Sequence, residues 1–341
     1  MNEDILSSVL RSVRLRGAVF YYVSYRAAWA AEAPPAAEIA PAVMPGSEHV
    51  IEYHMIAKGG GWAATAGLPP VRVAAGDIVM FPQGDSHVMS SAPELHPHRF
   101  DANWVFETRH VPKPMPISYH HGVAQPGAAT PVESADTVVV CGFIGCDLRP
   151  FNPVIAALPR LMHLPAHRAG AWVRPVIEQA AAESCSPGPG SQAVLARMSE
   201  MMFVDAVRRY IESLPEESAG WLAGMRDRHV GRALALLHEK PDEPWTIDAL
   251  GRRVGLSRSA LHERFVHFTG QPPMQYLTNW RMQVASNLLC SSTANVAAIA
   301  LDVGYDSEAA FARAFKRATG MPPAAWRRQR TANPSGAPPV T

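Results

Sequence analysis

The sequence is short of cysteine, of charge and of long apolar stretches. Only 4 of its 341 residues are cysteine and none forms a Cys-x-x-Cys pair, which argues against a disulfide framework and fits a reducing cytoplasm. We expect no membrane-spanning helix, because no run of about 18 apolar residues occurs. The charged start MNEDILSSVLRSVRLRG predicts no secretory signal. Hydrophobic residues nevertheless make up 48%, enough for a sizeable core.

Length and charge distribution suggest two domains of different character. A chain of 341 residues with 31 prolines and 24 glycines has room for two turn-rich domains. The net charge of +1 hides an asymmetry: residues 1–225 carry 16 basic and 21 acidic side chains, whereas residues 226–341 carry 15 and 9. A basic C-terminal third on an acidic body points to nucleic acid as a partner.

The two parts also differ in their hydrophobic patterns, which predict an α+β chain of two domains. Residues 16–147 contain short β-branched or aromatic runs between glycines and prolines, typical of a small sandwich or barrel; these runs are RGAVFYYVSY, HVIEYHMIA, VRVAAGD, DIVMFP and DTVVVCGF. Residues 91–133 are predicted to be loops, and NPVIAALPRLMHL and AWVRPVIEQAAAE short helices. Residues 191–215 predict one long amphipathic helix, which packs on the barrel as a core helix, mediates dimerisation, or does both.

An internal repeat lies near the C-terminus, at residues 246–273 and 296–323. Each copy has the pattern of a helix, a tight turn and a second helix. Gly255 and Gly304 stand where the chain must leave the first helix, and Ser257 and Ser307 stand at or near the N-cap of the second. The sequence therefore predicts two all-α helix-turn-helix units, 246–268 and 296–318, joined by a linker helix at 273–290.

These residues resemble the AraC/XylS family of bacterial transcription regulators, over residues 227–329. The second unit, GYDSEAAFARAFKRATGMPPAAWRR, is the most diagnostic part. The resemblance implies that the second helix of each unit enters one of two successive major-groove segments, ~34 Å apart. Carried over by position, the base-facing candidates are Ser259, His262, Glu263, Glu308, Ala309 and Arg313.

Among these candidates Arg313 has the clearest chemistry, because a guanidinium can bind guanine O6 and N7 together. Glu263 can accept from cytosine N4 or pair with a neighbouring arginine. The basic residues Arg258, Arg264, Lys316 and Arg317 suit phosphates; the alternative for each is an ordinary solvated helix charge.

A second motif, Gly76-x5-Pro82-x-Gly84-x2-His87, matches the second conserved motif of the cupin superfamily of small β-barrels. Metal-binding cupins also need an earlier His-x-His with a glutamate, because positions i and i+2 of a strand face the same side. Here His49 and His54 are five apart and face opposite sides. One barrel histidine is a poor zinc or iron site, so we expect neither metal nor cofactor, and His87 is a pocket or core residue.

Residues 5–215 as a whole resemble the cupin-type sensor domains fused to AraC-like DNA-binding domains. The resemblance implies an effector-sensing domain at 5–190, dimerisation, and an effector pocket that would include His87, His54 and Trp62. Related regulators sense oxidants through cysteines. Cys141 and Cys146 would face opposite sides of a strand and need a turn at GFIG to form a bridge.

We therefore predict a cytoplasmic homodimer that binds promoter DNA and RNA polymerase, is controlled by a small molecule or stress signal sensed in the cupin-like domain, and acts as an activator rather than an enzyme. The alternatives are a metal-dependent cupin enzyme, a metal or redox sensor fused to a DNA-binding domain, and a barrel that only dimerises. The tail at 331–341, TANPSGAPPVT, is predicted to be disordered.

Overall fold

A computed structural model describes residues 4–99, 102–120, 123–127, 130–168 and 170–331. The described chain forms two compact units. The sheet-rich unit contains residues from 15–146 and 158–213, and the helical unit contains residues from 4–14, 147–157 and 214–331. The predicted two-domain α+β fold is confirmed, although the two units alternate along the chain. The predicted tail, apart from residue 331, lies outside the described residues.

Twelve strands build the sheet-rich unit. In chain order they are β1 (Arg16–Arg26), β2 (Ala30–Ala33), β3 (His49–Lys58), β4 (Gly60–Thr65), β5 (Val71–Ala74), β6 (Ile78–Phe81), β7 (His87–Ser90), β8 (His98–Arg99), β9 (Met115–His120), β10 (Val123–Pro126), β11 (Thr137–Cys146) and β12 (Met162–Leu164). They form a seven-stranded sheet of order β10-β9-β1-β11-β3-β6-β12 and a five-stranded sheet of order β5-β4-β7-β2-β8. The pairings β1·β9 and β2·β8 are parallel.

The helices, in chain order, are α1 (Ile5–Ser12), α2 (Ala36–Val43), α3 (Ala102–Glu107), α4 (Pro153–Ala157), α5 (Val173–Cys185), α6 (Ser191–Ser213), α7 (Trp221–Gly224), α8 (Arg228–Glu239), α9 (Ile247–Val254), α10 (Arg258–Thr269), α11 (Pro273–Ser291), α12 (Val296–Asp302), α13 (Glu308–Thr319) and α14 (Pro323–Thr331). A short 3₁₀ helix spans Val132–Ser134. Helices α2, α3, α5 and α6 belong to the sheet-rich unit, and the other ten lie in the helical unit. Among the described helices, none combines the length and the apolar character that crossing a bilayer requires.

Two of the predicted local structures are wrong. Residues 91–133 were expected to be loops, but they contain β8, α3, β9 and β10, and β9 joins the large sheet beside β1. The short runs PISYH and VAQP carry too little apolar periodicity to be recognised without their pairing partners. The segment NPVIAALPRLMHL, expected to be helical, ends its helix at Ala157 and continues into β12.

The core of the sheet-rich unit lies between its two sheets. Its buried side chains come from both of them, as expected for a sandwich with interdigitating inner faces; they include Val23, Tyr25, Ile56, Ala63, Val79, Phe81, Met89 and Val139. The long helix α6 packs on β1, where a Cβ at Gly17 would lie 2.5 Å from the carbonyl oxygen of Ala196. Glycine at this position therefore lets the helix approach the strand closely.

The helical unit follows the predicted repeat. Ser257 accepts from the amide of Ala260 at the start of α10, and Ser307 accepts from the amide of Ala310 at the start of α13. Both N-caps are therefore confirmed. Gly255 and Gly304, with φ of +76° and +78°, make the two turns.

The linker helix α11 ties the two helix-turn-helix units to their surroundings. The Arg281 guanidinium donates to the carbonyl oxygens of Pro241, Glu243 and Gly304, at 2.6, 2.9 and 3.1 Å. Below it, Phe315 and Trp326 pack edge to face in a core that also contains residues of α11, α12 and α13. One arginine thus fixes the linker helix to the turn of the second unit.

A buried carboxylate holds together the ends of the helical unit. Asp147, 5% exposed, accepts from Arg14 at 2.6 and 2.9 Å and from Arg330 at 2.8 Å. Its backbone amide donates to the carbonyl oxygen of Val13. The residue that follows β11 is therefore fixed to α1 and α14 by charge-assisted hydrogen bonds.

The two turn glycines form a matched pair for a stability test. Alanine at Gly255 meets no atom within 4 Å, so Gly255→Ala should cost only the left-handed backbone penalty of about 1–2 kcal/mol. A Cβ at Gly304 would lie 2.6 Å from both the Asp242 carbonyl oxygen and the Arg281 guanidinium. Gly304→Ala should therefore cost at least about 1 kcal/mol more, measured by urea unfolding. Equal losses would contradict this account of the second turn.

Candidate functional site

The exposed faces of α10 and α13 form the candidate DNA-binding surface. Both helices bury an aromatic stripe, with Phe265, Phe311 and Phe315 fully buried. The opposite faces are solvent-exposed and carry all six predicted base-facing side chains: Ser259, His262, Glu263, Glu308, Ala309 and Arg313. Amphipathic packing, rather than any specific contact, orients them. Ser259 and Ala309 are small, which permits close approach to a base edge.

The four predicted phosphate-binding residues are also exposed, but they differ in their present partners. Arg264 is held by the Asp227 carboxylate, which accepts from Nε at 3.0 Å and from Nη2 at 2.5 Å. Asp227 also caps α8, so a phosphate would have to compete with a structural contact. Arg258 lies 3.6 Å from Asp248 in an exposed pair, which solvent weakens. Lys316 and Arg317 stand in the last turn of α13.

A cavity inside the sheet-rich unit forms the second candidate site. Its wall comes from both sheets and from α2 and α3, and is mostly apolar and aromatic; the lining residues are Tyr21, Val23, Tyr25, Ala31, Ala33, Pro34, Ile39, Glu52, His54, His87, Met89, Trp104, Val105, Ile117, Val139, Cys141, Gly142 and Phe143. The structure therefore brings the predicted residues His54 and His87 together. Trp62 does not line this cavity: it lies on β4, in a separate surface cleft with Arg72.

The polar groups of the cavity wall form a chain of hydrogen bonds. His87 Nδ1 lies 3.0 Å from the carbonyl oxygen of Asp85, which can only accept. His87 therefore carries its proton on Nδ1, and its Nε2 accepts from His54 Nε2 at 2.7 Å. His54 Nδ1 is then free to accept from the Cys141 thiol at 2.9 Å. One assignment of protons satisfies all three side chains with both imidazoles neutral.

Burial favours the same neutral state. It lowers the pKa of His87 to about 4 and, together with the neighbouring His87, lowers the pKa of His54 well below its ordinary value. Burial and the nearby Glu52 raise the pKa of the Cys141 thiol. Burial also raises the pKa of Glu52 well above its ordinary value, which favours the protonated, neutral carboxyl.

Two cavity residues, Glu52 and Tyr21, were missed by the sequence analysis. Glu52 and His54 stand two apart on β3, so strand alternation points both into the cavity. Glu-x-His at this spacing, in place of His-x-His, is the sequence signal that identifies the pair. His49, as alternation predicts, is directed elsewhere and contacts the carbonyl oxygen of Pro82 at 2.6 Å.

The residues of this wall do not fit the metal site that cupins can carry. The nitrogens of His54 and His87 are directed at each other rather than at a shared point, and Glu52 Oε2 lies 4.0 Å from His87 Nε2. Within the described part of the chain, no group of three or more His, Cys, Asp or Glu side chains is placed to hold a metal ion. We therefore derive no metal chemistry from this site.

The cysteines do not lie where a bridge could form. Cys141 and Cys146 both stand on β11, which runs unbroken from Thr137 to Cys146, so the turn at GFIG that a bridge would need is not formed. Pairing with β1 and β3 on either side keeps this segment extended. Five strand residues separate the two Cα atoms by about 16 Å, far beyond disulfide reach.

Comparison with known proteins agrees with the two-domain α+β fold. A sequence model of the family described as "Cupin" matches residues 4–212, and one described as "Helix-turn-helix domain" matches residues 250–329. An AraC-like transcription regulator of Streptomyces lividans is 31% identical over 287 residues, which cover 83% of this chain and 88% of that protein. The chain belongs to the AraC family of transcription regulators.

A second relative of this AraC-family regulator matches over nearly its full length. The HTH-type transcriptional regulator AlkR of Acinetobacter baylyi is 27% identical over 96% of this chain and 99% of that protein. Among solved structures, an AraC-type regulator from Chromobacterium violaceum is 25% identical, covers 35% of this chain and 99% of that chain, and has a TM-score of 0.30.

The buried carboxyl of this AraC-family regulator gives a pH test. Burial raises the pKa of Glu52 well above 4.5, so at a pH above 4.5 the folded protein holds a proton that the unfolded chain has lost. The stability of the wild type relative to Glu52→Gln should therefore fall as the pH rises above 4.5, by about 1.4 kcal/mol per pH unit. Urea unfolding at several pH values between about 5 and 7 measures this difference.

His54 and His87 act in the opposite sense, because their folded pKa values lie below the ordinary 6.5. They destabilise the fold as the pH falls from 6.5 towards 4. Both proteins contain them, so their effect cancels in the difference. Glu94→Gln, at an exposed carboxylate of the same unit, is the matched control. A difference between wild type and Glu52→Gln that does not vary with pH would mean that Glu52 ionises in the folded protein.

Proposed function

We propose that the protein is a homodimeric, sequence-specific regulator of transcription, acting as an activator, whose DNA affinity responds to a small molecule bound in the cavity of the sheet-rich unit. The observation that carries the DNA-binding part is the matched pair of capped helices, α10 and α13, with exposed polar faces. The observation that carries the effector part is a cavity with buried polar groups in its wall.

Base reading is assigned chiefly to α13. Arg313 is exposed on this helix, and its guanidinium can bind a guanine with two parallel hydrogen bonds. Ser259, His262 and Glu263 on α10, and Glu308 and Ala309 on α13, are the further base-facing candidates. Arg258, Lys316 and Arg317 are the preferred phosphate contacts, with Arg264 second to them because Asp227 already binds it.

The covalent chain offers a route from effector to DNA-binding unit. Strand β11 lines the cavity with Cys141 and Phe143 and ends at Cys146. The next residue, Asp147, is held by Arg14 and Arg330 in the helical unit. A ligand that favours one position of β11 would shift the population of helical-unit arrangements, because it binds the two states with different affinity.

The remaining assignments follow from this role. RNA polymerase is the expected protein partner of a promoter-bound activator, and the cytoplasm is the expected location. We assign no catalytic role to the cavity, because its two histidines are neutral and bound to each other. General acid-base chemistry at neutral pH would need a group that titrates near it.

Helix α6 supports the assignment of a dimer. Leu195, Ser199 and Met202 are buried, whereas Val194 and Met201, two turns apart on an adjoining face, are 44% and 49% exposed. Exposed large apolar side chains at helical spacing are typical of an interface. We propose that a second copy of the chain covers this stripe.

Arg313→Ala and Lys316→Ala, on the same exposed helix, separate base reading from phosphate binding. Arg313→Ala should lose about 1–3 kcal/mol of discrimination at one base pair. Lys316→Ala should weaken binding to all sequences alike and reduce the salt slope by about 1. Selection of sites from random duplex DNA defines the preferred sequence, and titration between about 50 and 200 mM salt gives the slope.

The two variants are controls for each other, since both remove one positive charge from α13. Unchanged site preference in Arg313→Ala would mean that α13 enters the groove in another register. Loss of preference in Lys316→Ala would reverse the two assignments. If the wild type selects no sequence at all, the proposed function is wrong.

Charge in the α6 stripe should break the dimer. Met201→Glu places a carboxylate in an apolar interface, where its desolvation is costly, so size-exclusion chromatography with light scattering should report a monomer. Leu301→Glu, at an apolar side chain of the helical unit that is 63% exposed, is the matched control and should stay dimeric. If both variants are monomeric, or if neither is, the dimer interface does not lie on α6.

A further inference from the structure

Two buried polar atoms of the cavity wall have no hydrogen-bond partner among the described residues. They are the hydroxyl oxygen of Tyr21 and Oε1 of Glu52. Both residues line the cavity, and Glu52 is only 3% exposed. Leaving a buried polar group unpaired costs about 1–3 kcal/mol. Two such atoms in one wall mark a place where a ligand can supply the missing hydrogen bonds.

Both groups can donate a hydrogen bond in their protonated forms. Burial raises the pKa of Glu52 and, helped by Cys141 and Glu52, that of Tyr21. Both shifts favour the neutral forms, a carboxylic acid and a phenol, each of which has one O–H to donate. The two residues flank β11, where Tyr21 pairs with Cys141 and Glu52 pairs with Phe143, two positions further along the strand. Of the other polar side chains, His54, His87 and Cys141 are engaged with one another or with the Asp85 carbonyl.

The rest of the wall excludes a charged ligand. Lysine and arginine are missing from its lining residues, and Val23, Trp104, Ile117, Val139 and Phe143 supply apolar surface. Burying an ion there would be costly without a counter-ion.

The side chain of Lys113 packs over Tyr21, with Nζ 5.3 Å from the centre of the ring. Its ammonium donates to the carbonyl oxygen of Thr108, and burial lowers its pKa to about 8. It does not line the cavity. It therefore packs against Tyr21 without offering a charge to the ligand.

Cavity size limits the ligand further. The cavity volume is about 90 Å³. By the same measure of volume, a single water molecule needs roughly 10–15 Å³. A molecule of roughly six to nine non-hydrogen atoms fits this space.

We propose that the cavity binds a small, uncharged, mostly apolar molecule with one hydrogen-bonding oxygen, of the aromatic alcohol or aldehyde class, whose oxygen accepts from Glu52 and Tyr21. The inference deepens the proposed function, because it names the chemistry of the effector. Specificity arises from the unpaired donors: an analogue without the oxygen leaves them unsatisfied, and an anion lacks a partner charge.

Three probes that share a benzene ring test the proposal: benzyl alcohol, toluene and benzoate. Isothermal titration of the full-length protein should give a Kd for benzyl alcohol about tenfold below that for toluene, as one recovered buried hydrogen bond implies. Benzoate should bind at least about tenfold more weakly than the alcohol. Equal affinities for alcohol and toluene, or tightest binding of benzoate, would overturn the proposal.

Variants identify the groups responsible. Tyr21→Phe removes only the hydroxyl, and Glu52→Leu replaces a buried carboxyl whose Oε1 has no partner with an apolar side chain of similar size, so both should fold. Each should reduce the tenfold preference for the alcohol to about two- to threefold while leaving toluene affinity in place. Met89→Leu, which alters an apolar part of the same wall, should change both affinities alike. A preference that survives in both polar variants would show that the oxygen binds elsewhere.

Failure of this inference and failure of the proposed function give different results. Probe binding is measured without DNA, and DNA binding is measured with and without benzyl alcohol. The predicted order of probes with unaltered DNA affinity supports the ligand class and refutes effector control by it. Intact sequence-specific DNA binding with equal alcohol and toluene affinities refutes the ligand class and leaves the regulator function standing.

Discussion

The contact between the imidazoles of His54 and His87 is the constraint on which the cavity depends. The two Nε2 atoms lie 2.7 Å apart and join β3 of one sheet to β7 of the other. The carbonyl oxygen of Asp85, at one end of this chain of hydrogen bonds, can only accept, so it fixes the direction in which each proton is donated. The pair and its two neighbours, the Cys141 thiol and the Asp85 carbonyl, use the ring nitrogens of both histidines, and Glu52 Oε2 lies 4.0 Å from His87 Nε2. Oε1 of Glu52 is therefore left buried and without a partner among the described residues, in a wall that is mostly apolar.

The same cavity wall leads by the covalent chain to the charged cluster of the helical unit. Pairing on both edges makes β11 a central strand, which gives it little freedom to bend alone. Its last residue, Cys146, precedes Asp147, whose carboxylate two arginines bind. A buried carboxylate with two guanidinium partners is costly to separate. Cys146 and Asp147 are consecutive residues, so no loop separates the strand that lines the cavity from the charged cluster.

Local patterns predicted most of the elements, and long-range pairing explains what they missed. Ser257, Ser307, Gly255 and Gly304 could be placed from sequence because capping and left-handed turns depend on neighbouring residues alone. Strands β9 and β10 could not, because β9 pairs with β1, about ninety residues earlier in the chain, and β10 pairs with β9. The meeting of His54 with His87 required the register of two sheets. Glu52 was within reach of sequence reasoning, since alternation places it beside His54.

Under the proposed function, the unpaired atoms would make so small a cavity selective and still let it influence DNA binding. Oε1 of Glu52 and the hydroxyl of Tyr21 cost stability in the free protein. A ligand that accepts from both would regain that free energy only in an arrangement that keeps them close. Its affinity would then differ between conformations by about the worth of one or two buried hydrogen bonds, 1–3 kcal/mol. A coupling free energy of that size changes the affinity at a second site roughly 5- to 150-fold.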